Sequence, residues 1–442
     1  MQSSLTVHIP EPNQHFHCAG VKADVVCDQV LMNSIPFSTG HPADFFAQFA
    51  AAPGVFSLRG ADEAAEPYVS KTANLRRRLE RLLAPPESQS KRLNLRDRTA
   101  TINYSLTGSD FESVLLLYRA LRREFPDNYQ KRLRLRPVPV VRFNLENEYP
   151  RAYVTTRMGK LTGRSLYYGP FRSRAVADKF LNDSLDLFKM RRCTFDLNPD
   201  PSFPGCVYSE MKMCLAPCFK GCTDEAYAAE VARVQAYFDS SGQSLLRELE
   251  AERERLSAEL DFEAAAAQHG RVAKIKGILS ACDDICGRLD RLDAVIVQPS
   301  AQANSVALFR FRGGELLGPV PIAMETEDQA EQPQISAHPA GAEPVAAQSH
   351  PAESMESRIR SALESLVSHG SHSAQRSGEE LAILKRWYYR THKVGEVFFS
   401  DEQGELPWRR IVRGVTRVYR GEKEAAVSPQ NAEETPPADI KI

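Results

Sequence analysis

Residues 52–59 read Ala52-Pro53-Gly54-Val55-Phe56-Ser57-Leu58-Arg59, and residues 67–78 read Pro67-Tyr68-Val69-Ser70-Lys71-Thr72-Ala73-Asn74-Leu75-Arg76-Arg77-Arg78. Gly54 to Leu58 and Pro67 to Ser70 predict a strand–turn–strand unit, and Asn74 to Leu83 a basic helix behind it. Farther on, Glu112-Ser113-Val114-Leu115-Leu116-Leu117-Tyr118-Arg119 is an apolar helical run that leads to Pro126-Asp127-Asn128-Tyr129. Two strands, a basic helix and an apolar helix within one short stretch predict a small mixed α/β unit.

These residues resemble the start of a GIY-YIG nuclease domain. Gly54-Val55-Phe56 stands at its first motif, Tyr68-Val69-Ser70 at its second, and Arg78 at its helical arginine. The flanking Ala52-Pro53-Gly54-Val55 and Lys71-Thr72-Ala73-Asn74-Leu75 are similar to the UvrC family, the C subunit of the UvrABC excinuclease. The resemblance implies water-activating and phosphate-clamping roles for Tyr68, Lys71 and Arg78; packing and surface charge are the alternative. Phosphodiester hydrolysis also needs a divalent cation for the developing charge, and magnesium usually takes at least one carboxylate ligand. With Glu112 and Pro126 pinning the register, Leu117 stands where the family places that glutamate. Glu112 is five residues away, roughly 140° around a helix of 3.6 residues per turn, and Glu124 lies about 10 Å along its axis. Phe56 lacks the first tyrosine's hydroxyl, Ser70 replaces the closing glycine, and Asn128-Tyr129 inverts the usual order. Magnesium is therefore expected only if a substitute site exists.

The 442 residues suggest about three modules, and no run approaches the roughly 18 apolar residues of a membrane span. No basic then apolar leader is visible in residues 1–30, so a cytoplasmic location is expected. The net charge of −1 conceals an asymmetry: residues 51–142 hold 18 Lys/Arg against 10 Asp/Glu, while Glu325–Glu356 has no Lys or Arg. Such a basic module points to a polyanion, with Arg76, Arg77, Lys91 and Arg92 as candidate DNA contacts and Lys131, Arg132, Arg134 and Arg136 in support. A solvated helix face is the competing account.

Nine cysteines are present; Cys193, Cys206, Cys214 and Cys218 are separated by twelve, seven and three residues. Metal ligation is the better reading without a secretion signal, and thiolates select zinc or iron–sulfur clusters. Only the last pair is as tight as typical zinc pairs, so the spacing favours an iron–sulfur cluster. The surroundings, Tyr168-Gly169-Pro170-Phe171 with a helix from Ser173 to Phe188, then Arg191-Arg192-Cys193 and Met213-Cys214-Leu215-Ala216-Pro217-Cys218, again resemble UvrC, which implies a [4Fe–4S] cluster on the four cysteines. Cys222 is spare, Cys282 and Cys286 read as core, and Cys18 and Cys27 with His15 and His17 give a weak second site or an extension.

Leucines at 245, 249, 256 and 260 predict a helix over Gln243–Glu259, and Asp261 caps a second, Phe262–Leu279, whose inward face would be Phe262, Ala265, Ala266, Val272 and Ile275. Leu260-Asp261-Phe262-Glu263-Ala264-Ala265 resembles the UVR motif, which implies association with UvrB through Leu260 and Phe262. Gln268, His269 and Gly270 depart from it, and a plain helical spacer is the alternative. Strands are expected over Ala294–Val297, Ser305–Phe311 and Glu315–Ile322, helices over Arg358–Val367 and Glu379–Tyr389, and a strand over Val397–Ser400. This last part resembles the stretch before the family's RNase H-like nuclease, a domain expected to be missing here.

The expected fold class is an α+β multidomain protein. It comprises an N-terminal extension (1–47), a degenerate GIY-YIG-like mixed α/β domain (48–135), a helical four-Cys segment (136–232), a UVR-type α-hairpin (243–280), a short β region (290–324), a disordered linker (325–356), a residual helical and strand region (357–425) and a disordered tail (426–442). Three functions fit these residues: a non-incising DNA-repair factor that binds DNA and UvrB, a single-incision endonuclease with a rebuilt metal site, or a cluster-bearing sensor on a nuclease scaffold.

Overall fold

The computed structural model describes residues 30–42, 44–62, 64–85, 93–161, 163–324, 354–366 and 373–422. Lys91, Arg92, the N-terminal Cys/His group, nearly all of the expected linker and the expected tail lie outside these residues. Among the described residues the chain is mixed α/β, with three small antiparallel sheets and eleven α-helices.

β1 (Asn33–Pro36), β2 (Gly54–Arg59), β3 (Tyr68–Thr72) and, after α1 (Leu75–Leu83), β4 (Thr101–Leu106) form the first sheet in the order β1-β4-β2-β3. Asn74 accepts from the Arg77 amide at 3.0 Å and starts α1, whose Leu75, Leu79, Leu82 and Leu83 share one face and join a core with Phe56, Leu58 and Ile102. Gly54 leaves no room for a side chain between β2 and β4: a Cβ there would stand 2.7 Å from the Ser105 carbonyl oxygen. α2 (Asp110–Glu124) packs on β2 and β3, and α3 (Tyr129–Leu133) follows it.

The second sheet contains β5 (Val140–Asn144), β6 (Arg151–Thr155), β7 (Leu166–Gly169) and the short β8 (Gly287–Arg288), in the order β6-β5-β7-β8. Strands in this region correct the expectation of a helical segment over 136–232. Val140 and Val141 are buried in different cores, one on each face of β5, before the strand alternates through the half-buried Arg142, the buried Phe143 and the half-buried Asn144. α4 (Arg174–Leu185), α5 (Val207–Glu210), α6 (Asp224–Asp239), α7 (Gln243–Ala258) and α8 (Phe262–Leu279) complete this part of the chain.

β9 (Asp293–Pro299), β10 (Ser305–Arg312), β11 (Glu315–Ala323) and β12 (Glu396–Phe399) form the third sheet, in the order β11-β10-β9-β12. It is sandwiched. Ala294, Ile296, Ala307 and Phe309 share a core with α2 and α10 (Ala374–Tyr388), while the alternating Val295, Val297, Val306 and Leu308 face α9 (Met355–Glu364) and α11 (Trp408–Arg420). α2 is thus a shared wall between the first and third sheets. Phe111 meets Phe309 and Trp387 at ring distances of 5.1 and 5.2 Å, and Arg119 donates to the Leu316 and Gly318 carbonyls. Glu379 of α10 accepts from Tyr118 and Tyr129 of this wall, each at 2.9 Å. Gly108, between β4 and α2, lies close against the end of β9, where a Cβ would stand 2.1 Å from the Pro299 carbonyl oxygen.

Candidate functional site

Three of the expected nuclease positions meet at one place. Phe56 is fully buried beside Tyr68, with ring centroids 6.1 Å apart, and Arg78 donates to the Tyr68 hydroxyl at 2.8 Å. Lys71, at an alternate position on β3, instead forms an ion pair with Asp110 at the start of α2. The other Asp110 oxygen is held by Arg390, which lies just beyond α10. Burial alone would raise the Asp110 pKa, but the two cations outweigh it and hold the carboxyl below its ordinary value. Leu117 is half-buried against the core that joins α2 to the third sheet. Both nearby acids are committed elsewhere. Glu112 accepts from the Gly108 amide at 2.8 Å as part of the α2 cap, and burial is the main reason its pKa is raised. Glu124 is paired with Arg59 at 2.5 Å.

The candidate DNA contacts divide in the same way. Arg76 uses its guanidinium on the Phe49 and Ala47 carbonyls, at 2.6 and 3.0 Å, whereas Arg77 is exposed. Sequence reading passed over a second cationic surface on α11. Ile411, Gly414, Val415 and Val418 are buried on that helix, which leaves Arg409, Arg410 and Arg413 exposed and without an ion-pair partner among the described residues. The helix contains five arginines and no acid, so the combination of charge and helical spacing was the available signal.

The four cysteines come together. Cys206 caps α5, Cys218 lies in the turn Pro217–Phe219, and both line one small cavity with Cys193, Cys214, Arg191 and Arg192. Among the described residues no set of three His, Cys, Asp or Glu side chains is already drawn in as a metal-binding group. The thiols nevertheless sense one another: burial, with a contribution from the other three cysteines, pushes the Cys214 thiol up to about 11. The Ala216 amide donates to Cys214 sulfur at 3.3 Å, and Arg191 to Cys193 sulfur at 3.3 Å. Arg191 Nη2 and Arg192 Nε are buried without partners. Arg192 is paired with Asp186 at 2.7 Å, whereas Arg191 has no carboxylate partner among the described residues. Four soft donors under a positive rim have the chemistry of a thiophilic metal centre, and a neutral site would leave the buried Arg191 uncompensated. Cys222 packs beside this core, and Cys286 donates to the Pro170 carbonyl at 3.1 Å.

The hairpin begins its second helix where expected. Asp261 accepts from the Ala264 amide at 3.0 Å, and Val272, Ile275 and Ile278 are buried. Phe262 and Ala266 do not face inward, which corrects that part of the expectation. Leu260, in the left-handed region at φ 63°, and Phe262 project from the tip at 72% and 65% exposure, beyond the reach of the core below.

Residues 138–237, which span β5 to most of α6 and include all four cysteines, match the family described as the UvrC/Cho excinuclease, middle domain. The chain is similar to the UvrABC system protein C of Pseudomonas savastanoi pv. phaseolicola, 30% identical over 63% of this chain and 45% of that protein. It is also similar to that of Alcanivorax borkumensis, 27% identical over 66% and 48%, and to that of Methanothermobacter thermautotrophicus, 26% identical over 60% and 44%. The chain thus spans about half the length of the curated relatives it matches. No solved structure matches it. The middle-domain match and these relatives together support the UvrC family for this chain.

Proposed function

We propose that this chain is a UvrC-like nucleotide-excision-repair protein that binds DNA and docks UvrB through the tip of its helical hairpin, without cutting. One observation carries the non-incising part. Leu117 stands at the ligand position, and Glu112, Glu124 and Asp110 are each committed to a cap or a cation. None is left over as a hard oxygen ligand for magnesium. The exposed Arg77 and the α11 arginines supply phosphate contacts, and Lys91 and Arg92 remain candidates. Cys193, Cys206, Cys214 and Cys218 would hold a [4Fe–4S] cluster or zinc, which would tie together the loops on which they stand. Among the described residues no helix is long and apolar enough to cross a membrane, and a cytoplasmic setting is part of this reading.

The test is incision of a lesion-containing duplex by the pure chain with UvrA, UvrB, ATP and magnesium or manganese. A shifted but uncut duplex is expected; a cut would overturn the reading. Phe262→Ala should abolish co-purification with UvrB while leaving the fold intact, because the ring is mostly exposed. Co-purification that survives the substitution would remove the docking role. The Tyr68–Arg78 hydrogen bond favours the second reading, a one-cut nuclease. Nicking that is lost in Tyr68→Phe and in Arg78→Ala would establish it.

A further inference from the structure

We infer that Arg191 is the built-in counter-charge of a metal centre on Cys193, Cys206, Cys214 and Cys218; this rests on the four-cysteine reading proposed above. Arg191 is 1% exposed and heads the largest fully buried side chains of the described residues. Its Nε donates to the Tyr149 carbonyl at 2.9 Å, and its Nη1 to the Phe195 carbonyl at 3.0 Å and to Cys193 sulfur at 3.3 Å. Nη2 has no partner, and no carboxylate pairs with this guanidinium among the described residues.

A guanidinium stays protonated inside a protein, so burial cannot be relieved by loss of its proton. Every acceptor it has here is a neutral carbonyl or thiol. Removing one ion from water without an opposite charge is among the costliest arrangements in a fold. The missing negative charge is available on one neighbour: four cysteines that bind a thiophilic cation do so as thiolates, and the assembled centre is net negative. Two neighbours add orphaned donors. Arg192, on the same cavity and paired with Asp186 at 2.7 Å, and Arg151, which donates to the Cys193 carbonyl at 3.5 Å, each bury an Nε without a partner. Three of the eight orphaned buried side-chain atoms among the described residues thus belong to arginines around this one site. Arg191 is a positioning residue on this account: it steadies the charge of the centre and holds Cys193 by a hydrogen bond.

The alternative is a strap, in which Arg191 only ties the Tyr149 and Phe195 backbone together. Arg191→Gln keeps hydrogen-bonding capacity without charge, and Arg191→Lys keeps charge with different geometry. The full chain and both variants would be reconstituted anaerobically with iron and sulfide, or with zinc, and release of metal to a chelator timed. R191Q should release metal at least about tenfold faster than the parent, the usual scale for losing a partner of a metal ligand, with R191K close to the parent. In iron-loaded protein the midpoint potential should fall in R191Q and hold in R191K, because reduction adds negative charge. Equal effects in the two variants would mark a strap and overturn the inference, as would no effect in either. A parent chain that takes up neither metal overturns the four-cysteine reading and this inference together, whereas a metal-bearing parent with an unaffected R191Q overturns the inference alone. If R191Q does not fold, R191K decides: release close to the parent is expected, and release at least about tenfold faster with the charge retained would mark a strap and overturn the inference.

Discussion

The nuclease-like sheet and the four-cysteine cavity carry motifs of comparable clarity, and the fold treats their polar groups in opposite ways. Around the first sheet most of the charges beside the nuclease-like motifs are used up internally: Lys71 and Arg390 share Asp110, Arg59 holds Glu124, Glu112 caps its own helix, and Arg76 binds backbone carbonyls, while Arg77 stays exposed. Arg78 Nε, Ser57 Oγ on β2 and His41 Nε2 are the exceptions, buried without partners. Around the cysteines the balance is left open, with four thiols facing one cavity and three arginine nitrogens unpartnered. A site that must receive a substrate or a metal keeps polar atoms for it, at a cost to the empty fold. What separates the two regions is therefore the acids: those beside α2 are paired or capped, while the four thiols face a cavity.

The largest effect should come from Cys214→Ser. Loss of one thiolate from a four-sulfur set should bring bound iron or zinc down to background, as read by metal analysis; full retention would dissolve the contrast. Leu117→Glu probes the other side. Restoring a carboxylate in a half-buried apolar position should destabilise the chain by about 3 kcal/mol in denaturant unfolding, with no incision gained. Magnesium-dependent nicking by that variant would show that the nuclease face is still open. The smallest effect belongs to Arg390→Ala, worth about 0.5 kcal/mol because the pair is well exposed to water and salt. Its sign is testable by pH. Asp110 has a depressed pKa in the fold, so its contribution is present above the unfolded value and is lost as pH falls through the folded one. Removing Arg390 should move that acid limb to higher pH in thermal melts across the acid range; an unmoved limb would show that Lys71 alone holds the carboxylate.

Local signals were legible and accurate. The second hairpin helix runs Phe262–Leu279 as read, because an Asp cap and helical spacing are written within a few residues. The hairpin of β10 and β11 turns at Gly313 and Gly314, both at positive φ, as the glycine pair announced. Less legible were Val140 and Val141, whose strand lies between two cores, and the cationic face of α11, where only the docked partner layer decides which arginines remain outside. The role of Asp110 was invisible, since its two cations come from positions 71 and 390, far apart along the chain.

The sequence by itself determined the side chains on offer: which four thiols exist, that residue 117 is a leucine, and where helices start and stop. These depend on side-chain chemistry and on hydrogen bonds that close within a turn or two. Tertiary structure alone decided which charges are spent and which are spare. Pairing in three dimensions depends on burial and on partners separated by tens to hundreds of residues, and α2 shows this most plainly: one face meets the first sheet, the other the third, and no periodicity along its own sequence names either neighbour.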